Sequence, residues 1–289
     1  MSATVFSEIL AGLYDNKVVP YLGSGVLFDA KNKLTGEAMP ADSNSLILAM
    51  NDGRPMAPKL MYEFPRAAMN LELKRGRNFL GQFLTRLYGN TEWTRAAVHN
   101  WLAEWKPAYV IDINRDTQLQ DSYADEEHTL IVGMARITAS HYRFKIYHFD
   151  GTDYFEIPQE QVDHRLPVLF KPMGSPKPEA NFVASDADYV DYITELMGGF
   201  AIPDFLKEYR KGKQYLLIGM PLNRDSERMV MSDIVSGANG HKGWVLNKNP
   251  TNKEVRFCNK MGLEIVDAGV EELLAAVSPA EANLRTEAA

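Results

Sequence analysis

Apolar side chains return at helical spacing along the first stretch of the chain: Val5, Phe6, Ile9, Leu10, Leu13 and Tyr14 follow a Ser2/Thr4 cap, and Asn16 offers a stop. The rhythm then changes. Val18, Val19, Pro20, Tyr21 and Leu22 form a short unbroken apolar run ending in Gly23, Ser24 and Gly25, the pattern of a buried strand feeding a tight turn. Pro20 counts against it, because proline donates nothing to a ladder. From 41 to 104 the spacing is mostly helical, at Leu46 to Met50, Ala67 to Leu73, Phe79 to Leu87 and Ala96 to Leu102, with Gly76 and Gly89 as interruptions. Tyr109 to Ile113, behind Pro107, is the next strand and ends in polar Asn114, Arg115 and Asp116.

Between about Thr129 and Ile157 the character shifts. Tyr142 to Phe149 and Thr152 to Ile157 flank Asp150 and Gly151, residue types that favour a tight hairpin turn, so the stretch at about 120–165 reads as an antiparallel insertion. Strand and helix then alternate: strand Val168 to Phe170, helix Ala187 to Met197 behind a Ser185 cap, helix Phe205 to Arg210, strand Tyr215 to Ile218 and a helix around Glu227 to Val235. Strand Gly243 to Leu246, helix Glu254 to Met261 stopped by Gly262, strand Leu263 to Val266 and helix Val270 to Val277 complete it. Six short apolar strands separated by helices predict an α/β fold, a doubly wound, mostly parallel Rossmann-like sheet with helices on both faces and an antiparallel hairpin insertion. The expected domain spans 1–277, with a helical subregion at 41–104, and 278–289 reads as a flexible tail.

Composition narrows the classes. With 289 residues, 45% hydrophobic and 24% charged, the chain is an ordinary globular protein. A net charge of −7 leaves no global basic surface, so nucleic acid is not an expected partner. The single cysteine, Cys258, excludes an internal disulfide and any zinc site built from several thiolates, and no metal is expected. No run of eighteen apolar residues and no basic-then-apolar leader occurs, so no membrane segment is expected and a cytoplasmic location follows by default.

Glycines where a first strand meets the next segment let backbone amides approach a pyrophosphate. Gly23 and Gly25 alone read as a plain tight turn, since Val26, Leu27 and Phe28 follow where the dinucleotide fingerprint has a further glycine. Further segments change this by their order. Val18 to Val26 resembles the Pro-containing strand and Gly-Ala-Gly loop of SIR2-like domains, which also accounts for Pro20. Ile111 to Asp116 resembles the strand ending in T-x-N-x-D. Phe170 to Ser175, with Ser185 to Tyr189 behind it, resembles the K-x-H-G-S strand end and the acidic, Tyr-containing helix. Leu216 to Leu222 resembles the G-x-S-L turn, and Val245, Leu246 and Asn247 the late strand ending in Asn.

The resemblance implies a sirtuin-like fold that holds NAD, ADP-ribose or a related dinucleotide. It implies phosphate contacts from Gly23, Ser24, Gly25 and Val26, ribose and carboxamide contacts from Asn114 and Asp116, and further nucleotide contacts from Gly219 and Asn247. Three positions depart from it. Met173 stands where the family's general-base histidine would be, and a thioether accepts no proton at neutral pH. Pro221 removes the hydroxyl and the backbone donor of a ribose-facing serine. Arg115 replaces an apolar residue; it either turns inward, to pair with Asp116 or receive a phosphate, or stays a solvated loop residue. Without the zinc module, deacylation is not expected.

Rescue by His141, His148 or His164 is weighed against plain exposure of these residues, and together with His128 they show no metal-ligand spacing. Asp125, Glu126 and Glu127 read as a solvated acidic turn, Cys258 as packed rather than reactive, and Met39, Met50, Met56, Met61 and Met69 as core or pocket filling. Three functions stand in order: a nucleotide-binding sensor or assembly partner with little or no hydrolysis; an NAD glycohydrolase using Asn114 with Asp116 or an inserted histidine; and a scaffold whose hairpin binds a protein partner or a second copy.

Overall fold

A computed structural model describes residues 2–135, 142–235 and 242–277. His141 and the tail expected at 278–289 lie outside the described residues. The strands are β1 Val18–Leu22, β2 Tyr109–Asp112, β3 His128–Gly133, β4 Phe144–Phe149, β5 Tyr154–Glu156 and β6 Val168–Lys171. They continue with β7 Gly174–Ser175, β8 Asn181–Phe182, β9 Gln214–Ile218, β10 Gly243–Leu246 and β11 Leu263–Val266. A nine-stranded sheet runs β11-β10-β9-β1-β2-β6-β3-β4-β5, while β7 and β8 form a separate antiparallel ribbon. From β11 to β3 every pairing is parallel; β4 on β3 and β5 on β4 are antiparallel.

Both faces of this sheet are covered, and the strand sequences show why. In β1, Val18 and Leu22 enter one apolar cluster and Val19 and Tyr21 the other; Val110 and Ile111 in β2, and Leu216 and Leu217 in β9, divide likewise. Side chains alternate along a strand, so a run without polar positions must be buried on both sides. Full burial of each such Val, Leu or Ile contributes roughly 1.5–3 kcal/mol over its exposed state. The first cluster is closed by the helix Ser2–Tyr14 and by the helical region before β2, the second by helices Asp186–Met197 and Asp225–Val235.

Pro20 sits in the middle of β1, paired in register with Leu216. The alternation explains its tolerance. Leu22 O accepts from Ile113 N on the β2 side, whereas Gly23 N donates to Ile218 O on the β9 side. Pro20 therefore faces β2, and that ladder begins only at Tyr21.

The stretch expected as an antiparallel insertion divides in two. The hairpin is present: β4 and β5 pair antiparallel around Asp150 and Gly151, and Gly151 has φ +94°. His128–Gly133, however, pairs in parallel with β6 from Thr129↔Val168 to Val132↔Lys171, so β3 is a strand of the doubly wound sheet itself. Nothing local distinguishes the two cases, since a fully buried run reads alike in either; the pairing is set by a strand further along the chain.

The expected helix boundaries rest on their caps. Capping boxes of Ser185 with Asp188 and Thr251 with Glu254 start helices Asp186–Met197 and Asn252–Met261, and left-handed Gly262 (φ 68°) ends the latter. Helix Arg77–Leu84 continues as a π turn through Thr85–Asn90. Among the described residues no helix is long and apolar enough to cross a membrane.

Candidate functional site

Strand order locates the site. From β1 the chain moves to one side through β2, and it returns on the other side through β9, β10 and β11. The reversal falls between β1 and β9, and crevices outside the carboxyl ends of such strands are where doubly wound sheets take ligands. There Gly23 N donates to Ile218 O (2.9 Å) and Gly25 N to Gly219 O (2.8 Å). A Cβ on Gly23 would lie 2.5 Å from Gly219 O, and one on Gly219, whose φ is +61°, would lie 2.6 Å from Val26 N. The three glycines are thus interlocked backbone to backbone, with no room for side chains. Beside them opens a cavity of ≈ 380 Å³ lined by Ser24, Gly25, Gly219, Pro221 and Asn247, among others. Asn247 is anchored through its N–H to Val266 O and accepts from Asn249 N at Oδ1 (both 3.1 Å).

On the other side of β1 the chemistry is charged and buried. Asp112, fully buried at the end of β2, accepts from Lys171 Nζ at Oδ2 (2.6 Å) and from Asn114 N and Nδ2 at Oδ1 (2.9 and 2.8 Å). Asn114 Nδ2 also donates to Gly23 O (3.0 Å), tying this cluster to the glycine turn. Asp116 accepts from Gln118 N at Oδ1 (2.7 Å), while its buried Oδ2 has no hydrogen-bond partner. Burial pushes the Asp116 carboxyl above its ordinary range, against the pull of Lys171. Asp116 lines a second cavity, of ≈ 590 Å³, together with Tyr88 and Gly89 of the π turn, Thr117, Gln118 and Lys177.

His99, on helix Ala97–Trp105, was not singled out by the sequence, yet it lies beside this cluster. It is 0% exposed, both ring nitrogens lack a partner, and burial holds it below the usual imidazole range despite Asp116 and Asp112. The one available signal was a histidine among the buried positions Val98, Trp101 and Leu102 of an amphipathic helix. Atoms of His99, Asp112 and Asp116 lie within 4.8 Å of one another, the composition of a cation site. The bonds oppose that use. Asp112 already serves three donors, and a dication would stand beside the fixed charge of Lys171 in a buried place.

The remaining expected residues fall as follows. Val26 is buried, with its N–H donating to Gly23 O (3.2 Å). Arg115 is neither paired with Asp116 nor solvated: its Nε and Nη2 donate to Val183 O (3.0 and 2.7 Å), Nη2 also reaches Tyr189 Oη (3.1 Å), and it lies over the Phe64 ring. The geometry therefore commits Arg115 to holding the segment after β8. Met173 is buried in the second apolar cluster. His148 lies on β4, with β3 and β6 between it and β2, roughly 14 Å across the sheet at the usual strand spacing. His164 is exposed, its ring tilted against that of Phe205. His128 is buried between Glu126 O and Tyr154 Oη, and burial lowers its pKa to about 4. Cys258 is buried, which raises its thiol to about 11.

A doubly wound sheet with a glycine-lined crevice at its switch point and an Asn–x–Asp strand end beside it defines a class of nucleotide-binding domain. The SIR2-like domain profile matches residues 108–266, more than half of the chain, from just before β2 to the end of β11. The chain belongs to the SIR2-like domain family. No curated protein matches its sequence.

Proposed function

We propose that this protein binds a dinucleotide of the NAD or ADP-ribose type across the carboxyl ends of β1, β9 and β10. One observation carries the reading: Gly23, Gly25 and Gly219 interlock at the switch point and leave a cavity of ≈ 380 Å³ faced by Ser24 and Asn247. Backbone exposed by glycine suits a pyrophosphate, and the Asn247 side chain suits a ribose or base edge. Met173 is packed into the core and supplies no base, in keeping with a binding protein of little or no deacylase activity.

A second reading, hydrolysis of the nicotinamide–ribose bond, is favoured by Asp116. Asp116 lines the 590 Å³ cavity and its Oδ2, buried just behind that wall, has no partner; a carboxyl whose pKa burial raises is the kind of group that can exchange a proton once a ligand reaches it. Calorimetric titration of NAD into the purified protein separates the readings. Saturable heat without turnover supports the binding protein, and sustained heat abolished by Asp116→Asn supports the hydrolase. A flat trace at two temperatures for both NAD and ADP-ribose rejects both.

A further inference from the structure

Both hydrogens of the Asn114 side-chain amide are spent, one on Gly23 O and one on Asp112 Oδ1. Only an NH2 group can serve two acceptors, so the amide has one orientation, and no described donor meets its Oδ1. The acceptor that sets this orientation is itself held. Register places Ile111 beside Phe170, which brings Asp112, one residue on, next to Lys171, and the two form an ion pair in which neither side chain is exposed. The chain of contacts therefore crosses three adjacent strand ends: Lys171 on β6, Asp112 on β2 and Gly23 after β1.

Stability does not explain the pair. The desolvation of two buried charges commonly offsets their attraction, and apolar residues of similar volume serve a core as well. What an apolar pair cannot do is hold an amide. We propose that Asp112 and Lys171 are positioning residues for Asn114: the ion pair fixes the Asp112 carboxylate, which turns the Asn114 amide so that the site offers an acceptor oxygen. The ligand group received there is a donor, a hydroxyl or a water, and not a phosphate oxygen. This rests on the dinucleotide reading, in which the group is a ribose hydroxyl.

Two neutral double variants test it, Asp112→Leu/Lys171→Met, which removes the holding acceptor, and Asp112→Asn/Lys171→Met, which keeps an oxygen at that position. Titration with NAD is expected to show at least a tenfold weaker affinity for the leucine variant and partial recovery in the asparagine variant, the leucine variant melting below the asparagine variant because Asn114 N and one Asn114 amide hydrogen lose their acceptor. Equal affinity of the two variants, or a leucine variant that binds as the natural protein does, overturns the proposal. A second measurement requires no variant to fold. In the 15N-labelled natural protein, both Asn114 side-chain amide protons are expected to exchange slowly, and exchange at the rate of a solvated amide overturns the proposal. If the natural protein binds neither NAD nor ADP-ribose, the dinucleotide reading fails while slow exchange still supports the positioning of Asn114.

Discussion

The two sides of β1 solve the same problem by opposite means. Toward β9 the rim is made of backbone: Gly23, Gly25 and Gly219 pack against one another with the Gly23 and Gly25 amides bonded to Ile218 O and Gly219 O, and Ser24 and Asn247 are among the polar residues that line the cavity. Toward β2 the rim is made of buried charge: Lys171, Asp112, Asn114, Asp116 and, behind them, His99. The first side is shaped by what cannot fit, since a single Cβ collides with backbone. The second is shaped by what must be paired, because a charge away from water is costly unless each partner is in place. A fold with both can hold an extended ligand loosely by shape at one end and orient it by hydrogen bonding at the other.

The contrast breaks most sharply at Lys171. Lys171→Met alone leaves Asp112 charged, buried and unpaired, and is expected to cost about 3–5 kcal/mol of stability in denaturant unfolding; a cost under about 1 kcal/mol would mean that the charged side is not held by this pair. Gly219→Val probes the backbone side. A β-branched residue at φ +61° with its Cβ 2.6 Å from Val26 N is expected to cost about 2–3 kcal/mol and to remove saturable NAD binding. Binding that persists would show that the interlock does not shape the crevice.

Glu227 sharpens the comparison in pH. It lies on the helix after β9, where burial and then nearby Glu63 push its carboxyl up to about 8, against Arg115 and Arg224. The folded protein therefore keeps a proton that the unfolded chain releases at its ordinary acidic pKa. Stability falls as pH rises from there to about 8 and levels beyond it. Glu227→Gln is expected to flatten the fall in melting temperature between pH 6 and about 8, and parallel curves for the two proteins would refute the assignment. The smallest effect is expected at Asn247→Ala, where loss of one hydrogen bond of about 1 kcal/mol weakens NAD by roughly fivefold, and loss of the exposed bond from Asn249 N lowers stability by about 1 kcal/mol or less.

Much of the scaffold is legible in the sequence. The six expected parallel strands, the Ser185 cap, the Gly262 stop and the Asp150–Gly151 turn depend on burial on both faces and on local backbone chemistry, which leave their mark on consecutive residues. The glycine turn was legible for the same reason, and so was Pro20 once a family pattern placed it. The candidate site was legible only in part. Asp112 stood in the sequence as one polar residue at the end of an apolar run, Lys171 as another, and neither carried a sign of the other until the β2–β6 register set them side by side. Arg115 left its orientation open, because Val183 and Tyr189, its partners, lie 68 and 74 residues away.

By itself the sequence determined most of the strands and helices, where most of these stop, and that a glycine turn follows the first strand, since these properties follow from side-chain periodicity and from backbone freedom within a few residues. Only the tertiary structure decided that β3 runs parallel beside β6, that Gly219 locks into Gly23 and Gly25, and that His99, Asp112, Asp116 and Lys171 share one buried place. Those facts depend on pairings between distant parts of the chain. Their energies arise when desolvated groups meet, and no local pattern encodes which distant group will be there.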